Sequence, residues 1–235
     1  LNAAALQINS VTATLTDLVT GFSKSNSAVD TNSTATLPVN LNGVAAASTL
    51  LFVAQWSGGS TPTSVSDGTN NFTLRGAVVS SNGQSSAVYT LDNVTAGNKT
   101  VTLLLPSAAS FKWAYLVEVT GRAASAFFGI AQQGQISPGI GTDAITSGVL
   151  NSIPAGSTLI GVTFDTSSTT QHSAGTGWTY DRDVDPADEG GAAEYINNVS
   201  AGNYSATFTQ VNNNSAITHL IALLKATSGS GAVLA

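Results

Sequence analysis

The chain has no cysteine and no methionine among its 235 residues. Without cysteine there are no disulfides, no thiolate metal sites and no cysteine nucleophile, so stability must come from core size and sheet closure. A chain that begins at Leu1 and lacks methionine altogether is what a processed protein or a fragment shows. Charge is scarce as well: 9% of residues are charged, against roughly 25% in an ordinary globular domain. Seven Lys and Arg stand against thirteen Asp and Glu, for a net charge of −6. That balance argues against nucleic acid, whose phosphates need basic residues. No H-E-x-x-H, P-loop or G-x-S-x-G pattern occurs, so the chain is not expected to be an enzyme. The longest apolar candidate, "VAAASTLLFVAQW" at 44–56, is interrupted by Ser, Thr and Gln and falls short of a membrane span, so no membrane insertion is expected.

Ser, Thr, Asn, Gly and Ala fill the space left by the charges. Apolar residues alternate with polar ones at a period of two, as in "VTATLT" at 11–16. In "WAYLVEV" at 113–119, Trp113, Tyr115, Val117 and Val119 share one face, and Ala114, Leu116 and Glu118 share the other. Clusters of Gly, Asn, Ser and Asp separate these runs, and no stretch sustains a helical stripe. The predicted class is all-β: an antiparallel, two-sheet, jelly-roll-like β-sandwich.

The strongest internal signal is a repeat. "NVTAGNKTVT" at 93–102 returns as "NVSAGNYSAT" at 198–207, and "STLLFVAQ" at 48–55 as "STLIGVTF" at 157–164. "SDGTNNFTL" at 66–74 resembles "SAGTGWTY" at 173–180, and "AYLVEV" at 114–119 corresponds to "THLIAL" at 218–223. Two sequence-related halves, 34–121 and 143–225, therefore make up a sandwich over 34–226. The halves either form separate small sandwiches or interleave into one, and the second is favoured because two stacked sheets would share a core. Residues 1–33 are expected to be a strand-like arm that adds to a neighbour's sheet edge or folds back onto its own sandwich. Residues 227–235 read as a flexible tail.

The strand "STLLFVAQ", the turn "SDGTNNFTL", the strand "NVTAGNKTVT" and the closing "AYLVEVTG" carry a resemblance that covers about 34–226. The chain resembles a duplicated β-sandwich domain, jelly-roll or lectin-like, of bacterial extracellular multidomain proteins and phage structural proteins. The resemblance implies a fold and an extracellular, cell-surface or virion location, and it carries over no catalytic residues.

Six of the thirteen carboxylates fall in "DRDVDPADEGGAAEY" at 181–195. Asp181, Asp183 and Asp185 have the spacing of an EF-hand start, but Pro186 and Ala192 stand where that loop needs Gly and Glu. A looser calcium site from Asp183, Asp185, Asp188 and Glu189 is the candidate; a solvated polar loop is the plainer alternative. Opposite this stretch the first half has "RGAVVSSNGQSSAV", with no carboxylate at all. Among the tryptophans, Trp113 reads as core and Trp178 matches Phe72 of the repeat. Trp56, before "SGGS", is the candidate exposed aromatic for stacking on a glycan. His219 occupies the place of Tyr115 and reads as a core imidazole.

Together these features predict a non-catalytic structural subunit that self-associates with copies of itself, or with other assembly subunits, through sheet edges and the arm. The alternative is a lectin-like module that binds a surface glycan, with or without calcium.

Overall fold

The structure is a computed structural model that describes residues 20–135, 142–165, 172–185, 189–211 and 215–226. All regular structure in these residues is β, and every ladder is antiparallel. The first half supplies β1 (Gly21–Asp30), β2 (Thr34–Val44), β3 (Thr49–Ser57), β4 (Ser64–Ser66), β5 (Thr73–Ser81), β6 (Gln84–Leu91), β7 (Gly97–Ala109) and β8 (Lys112–Thr120). The second begins with β9 (Arg122–Gln135), β10 (Thr142–Thr146), β11 (Leu150–Ile153), β12 (Thr158–Asp165) and β13 (His172–Ala174). It ends with β14 (Thr179–Asp185), β15 (Glu189–Ile196), β16 (Gly202–Tyr204), β17 (Thr207–Val211) and β18 (Ala216–Lys225).

Each half builds its own pair of layers. A five-stranded sheet in the order β1-β8-β3-β6-β5 faces a three-stranded sheet, β2-β7-β4. In the second half a five-stranded sheet, β9-β18-β12-β15-β14, faces the three-stranded sheet β10-β17-β13 and the short ladder β11-β16. Taken in chain order, the strands of the two large sheets succeed one another identically. Among the described residues no hydrogen-bonded sheet mixes strands from both halves.

The all-β antiparallel sandwich class expected from the sequence holds, but the halves form separate sheet pairs and do not interleave, and the central strands explain why. β3 is buried on both faces: Leu50, Phe52, Ala54 and Trp56 point into the first half's own core, whereas Leu51 and Val53 point the other way. β8 divides likewise, with Ala114 and Leu116 on one side and Trp113, Tyr115, Val117 and Val119 on the other. In a two-sheet sandwich one of these apolar faces would meet water. Stacking the two large sheets against each other buries it, which yields three cores in a four-layer arrangement. Strands buried on both faces read as nearly continuous apolar runs, and the run at 44–56 ends in such a strand, β3. β2, by contrast, alternates cleanly, with Leu37, Val39 and Leu41 inward and Thr36, Pro38 and Asn40 in solvent.

The arm also resolves in part. Gly21–Asp30 pairs with β8 along its length, so it is an edge strand of the chain's own sheet. Residues 1–19 and the tail 227–235 lie outside the described residues. The β5–β6 turn follows from its sequence: Asn82 and Gly83 have φ of 47° and 76°, which a two-residue hairpin turn requires and Asn-Gly tolerates best.

The middle core is the energetic link between halves. Phe164 on β12 is fully buried there, edge-on to Trp113 of β8 with ring centroids 5.3 Å apart. Phe164→Ala is expected to destabilise the whole chain by about 3–5 kcal/mol, read as a shifted denaturant midpoint. A loss below about 1 kcal/mol contradicts a packed inter-sheet core.

Candidate functional site

Trp56 does not offer a stacking face. It lies at the end of β3, fully buried in the first core, and its Nε1 donates to the Ser60 carbonyl at 2.9 Å. The "SGGS" that follows folds back over the indole instead of leaving it open. The expectation of an exposed Trp56 is therefore corrected: its role here is to hold the start of the 60–65 segment.

The acidic stretch is divided between strands and not displayed on one loop. Asp183 and Asp185 lie on β14 and Glu189 opens β15, where Asp185 and Glu189 are ladder partners. Asp188 lies outside the described residues. Asp181 and Glu194, from the same stretch, turn to different interiors, and each serves a structural contact.

Asp181 sits where β14 crosses β1 and β8. Its Oδ2 accepts from the Tyr115 hydroxyl at 2.8 Å and from Ser25 Oγ at 2.5 Å, and Arg182 Nε lies 3.3 Å away. Arg182 also donates to the Ser25 carbonyl at 2.9 Å and to Asn26 Oδ1 at 3.2 Å. Burial, reinforced by the Asp181 carboxylate, pushes the Tyr115 phenol well above its ordinary pKa, so it is a permanent donor. Beside this group Phe22 stacks on Tyr195 with centroids 4.1 Å apart. The Phe22 N–H donates to Asn197 Oδ1 at 2.8 Å.

A second crossing answers the first. His219, at the repeat position of Tyr115, is fully buried on β18 and meets Ser86 of β6, with Nε2 and Oγ 2.7 Å apart. Ser86 Oγ donates to the Ala54 carbonyl at 2.7 Å, so it accepts from an Nε2–H tautomer. Burial lowers the His219 pKa to about 3, which keeps the ring neutral. Nearby, Gln132 of β9 donates to the Ala77 carbonyl of β5 at 2.8 Å, and Arg75 lies over the Phe127 ring at 4.7 Å. Equivalent edges thus meet in pairs, β1 with β14 and β5 with β9.

Glu194 is buried inside the second core. In the first half the ladder pair at the matching place is Phe52 with Tyr89; here it is Gly161 with Glu194. A Cβ on Gly161 would come within 2.8 Å of Glu194 Cγ, so the glycine makes room for the carboxylate. Glu194 accepts from the Gly175 N–H at 2.9 Å and the Thr207 N–H at 3.2 Å, tying β15 to the opposite sheet. Burial outweighs these two donors and raises its pKa to about 7. Other buried ions also brace turns. Glu118 accepts from the Ala45 N–H at 2.6 Å, and Lys112 Nζ lies 3.1 Å from Asp30 and donates to the Ala109 carbonyl at 2.9 Å.

No sequence pattern singled out Asp181, Tyr115, Ser86 or Glu194 as cross-linking residues. The repeat held a signal for one of them: Gly161 opposite Phe52 marks a hole that the second half must fill differently.

No protein-family model and no curated protein sequence matches the chain. Among solved structures, a chain in the cryo-EM structure of the Sputnik virophage is similar over 95% of this chain and 90% of that one. The identity is 8% and the TM-score 0.21, a likeness too low to carry an argument.

Glu194 gives a pH prediction. Its folded pKa is raised to about 7 from 4.5, so below 4.5 the group is protonated in both states and imposes no penalty. Between these values the folded chain keeps a proton that the unfolded chain releases, and stability falls as pH rises, by roughly 3 kcal/mol in all. Glu194→Gln is expected to flatten that slope in denaturant titrations between pH 4.5 and 7. An unchanged slope contradicts the assignment.

Proposed function

We propose that the chain is a non-catalytic structural unit of an extracellular or virion assembly, joined to copies of itself or to companion subunits. The observation that carries this reading is the uncharged outer face of the β2-β7-β4 sheet. Thr36, Pro38 and Asn40 of β2 stand beside Leu104, Thr102 and Thr100 of β7 in register, and none is charged. Such a face can be covered by another subunit without desolvating an ion. The polar groups buried in the cores fit the same reading, because each described contact ties strand to turn or sheet to sheet.

Contact through the edges of the large sheets is the less favoured part of this reading. β1 and β14 shield each other, as do β5 and β9, and β4 and β13 are only three residues long. Shielded and short edges oppose indiscriminate strand pairing. Assembly is instead assigned to the outer sheet face and to residues 1–19, whose "VTATLT" alternation suits strand addition to another copy. The glycan-binding alternative loses its Trp56 platform and is not pursued in that form.

Light scattering on the full chain is expected to give a defined multiple of 23.6 kDa. Removing residues 1–19, or placing charge on the outer face with Thr102→Lys, is expected to shift it toward monomer. A monomeric full chain at high concentration contradicts the proposal.

A further inference from the structure

We propose that one end of the contact between the two large sheets is a binding site for ordered water, about two molecules held between the halves, independent of the assembly reading. The site starts from one row of residues across three strands of the first half. Gln55 on β3 pairs in register with Ser86 on β6 and with Trp113 on β8, so all three project from the same face. That face is turned toward the second half, because Trp113 meets Phe164 of β12 there and Ser86 meets His219 of β18. Gln84, two residues before Ser86 on β6, shares the face. On the other side Gln132 of β9 is the ladder partner of His219.

The observation that points to a ligand is a concentration of buried polar atoms without a hydrogen-bond partner among the described residues. Both ends of the Gln55 amide, Gln84 Oε1, Trp113 Nε1, Gln132 Oε1 and His219 Nδ1 are all in this condition. Gln55, Trp113 and His219 are themselves at most 1% exposed. Exchanging the oxygen and nitrogen of the Gln55 amide changes nothing, since neither end is bonded. Buried polar atoms of this kind elsewhere sit mostly on ion-paired side chains, such as Glu118 with Lys24 and Arg182 with Asp181. Native interiors satisfy such atoms, and where side chains do not do so an internal water does.

The six atoms select the ligand. Trp113 Nε1 and the Gln55 amide nitrogen donate, whereas the three glutamine oxygens accept. His219 Nδ1 accepts too, because its Nε2 carries the proton toward Ser86, whose own hydroxyl is given to the Ala54 carbonyl. An ion meets only one of these kinds, and none of the six atoms is charged to balance it. Water donates twice and accepts twice, so it serves both kinds at once. Burial of all six atoms also limits the occupant to the smallest polar molecule, since anything larger must part the sheets. Three of the five side chains are glutamines with a broad terminal torsion, so their amides turn toward a water at little cost.

The test is water–protein NMR on the full chain. The indole N–H of Trp113 is expected to show a direct cross-peak with water, of opposite sign in NOESY and ROESY spectra, as a long-lived neighbour gives and proton exchange does not. Trp56 is the internal control: it is equally buried, but its indole N–H is already given to the Ser60 carbonyl, so no such peak is expected. Oxygen-17 relaxation dispersion then counts the long-lived waters. Gln55→Leu, which keeps the bulk and removes the amide, is expected to lose at least one of them, whereas Val149→Ser at an exposed position is expected to lose none. An amide spectrum unchanged away from the substitution shows that Gln55→Leu folds; should it not, the Trp113 cross-peak of the unsubstituted chain decides the matter alone. The proposal is overturned if Trp113 shows no direct water cross-peak, or if folded Gln55→Leu keeps as many long-lived waters as the wild type.

Discussion

The contact between the two five-stranded sheets is the constraint on which the rest of the chain depends. β3, β8, β12 and β18 are buried on both faces, so neither half can cover its central strands with its own small sheet alone. Leu51, Val53, Trp113 and Val117 from one half and Ile160, Val162, Phe164 and Ile221 from the other must meet, or water would cover them. Once they meet, the edge strands are brought together in pairs and the small sheets are left outside.

Polar groups buried along the inter-sheet contact set its register, which apolar packing alone leaves loose. Tyr115 and His219 hold corresponding places on β8 and β18 but reach strands that do not correspond, Tyr115 meeting Asp181 on β14 and His219 meeting Ser86 on β6. A shift of either sheet by one residue would strand a buried hydroxyl, carboxylate or imidazole without its partner, at a cost of about 1–3 kcal/mol for a neutral group and more for the ion. The asymmetry is consistent elsewhere. Glu194 with Gly161 replaces Tyr89 with Phe52, so one half fills with a carboxylate the place that the other fills with two aromatic rings.

Much of this was legible in the sequence, and the misreadings have physical causes. The all-β class and the core roles of Trp113 and His219 followed from alternation and from aligning the halves. The four-layer stacking was not read, because continuous apolar runs such as "TLLFVAQW" were treated as ordinary strands although both faces needed cover. Trp56 was misplaced because flanking Gly and Ser suggest an open turn, and nothing local says that Ser60 folds back onto the indole. Asp181 was grouped with its acidic neighbours; its partners, Ser25 and Tyr115, lie 156 and 66 residues away, beyond the reach of any local pattern.

The central claim, that the stacked sheets make the two halves one cooperative body, is tested most directly by equilibrium denaturant unfolding followed residue by residue. The NMR amide signals of Gly83 in the β5–β6 turn and of Gly202 on β16 report on separate halves. The account predicts that both signals disappear at the same denaturant concentration, in a single transition shared with the fluorescence of Trp113 between the sheets. Two well-separated midpoints, with one half still folded after the other has melted, would contradict it.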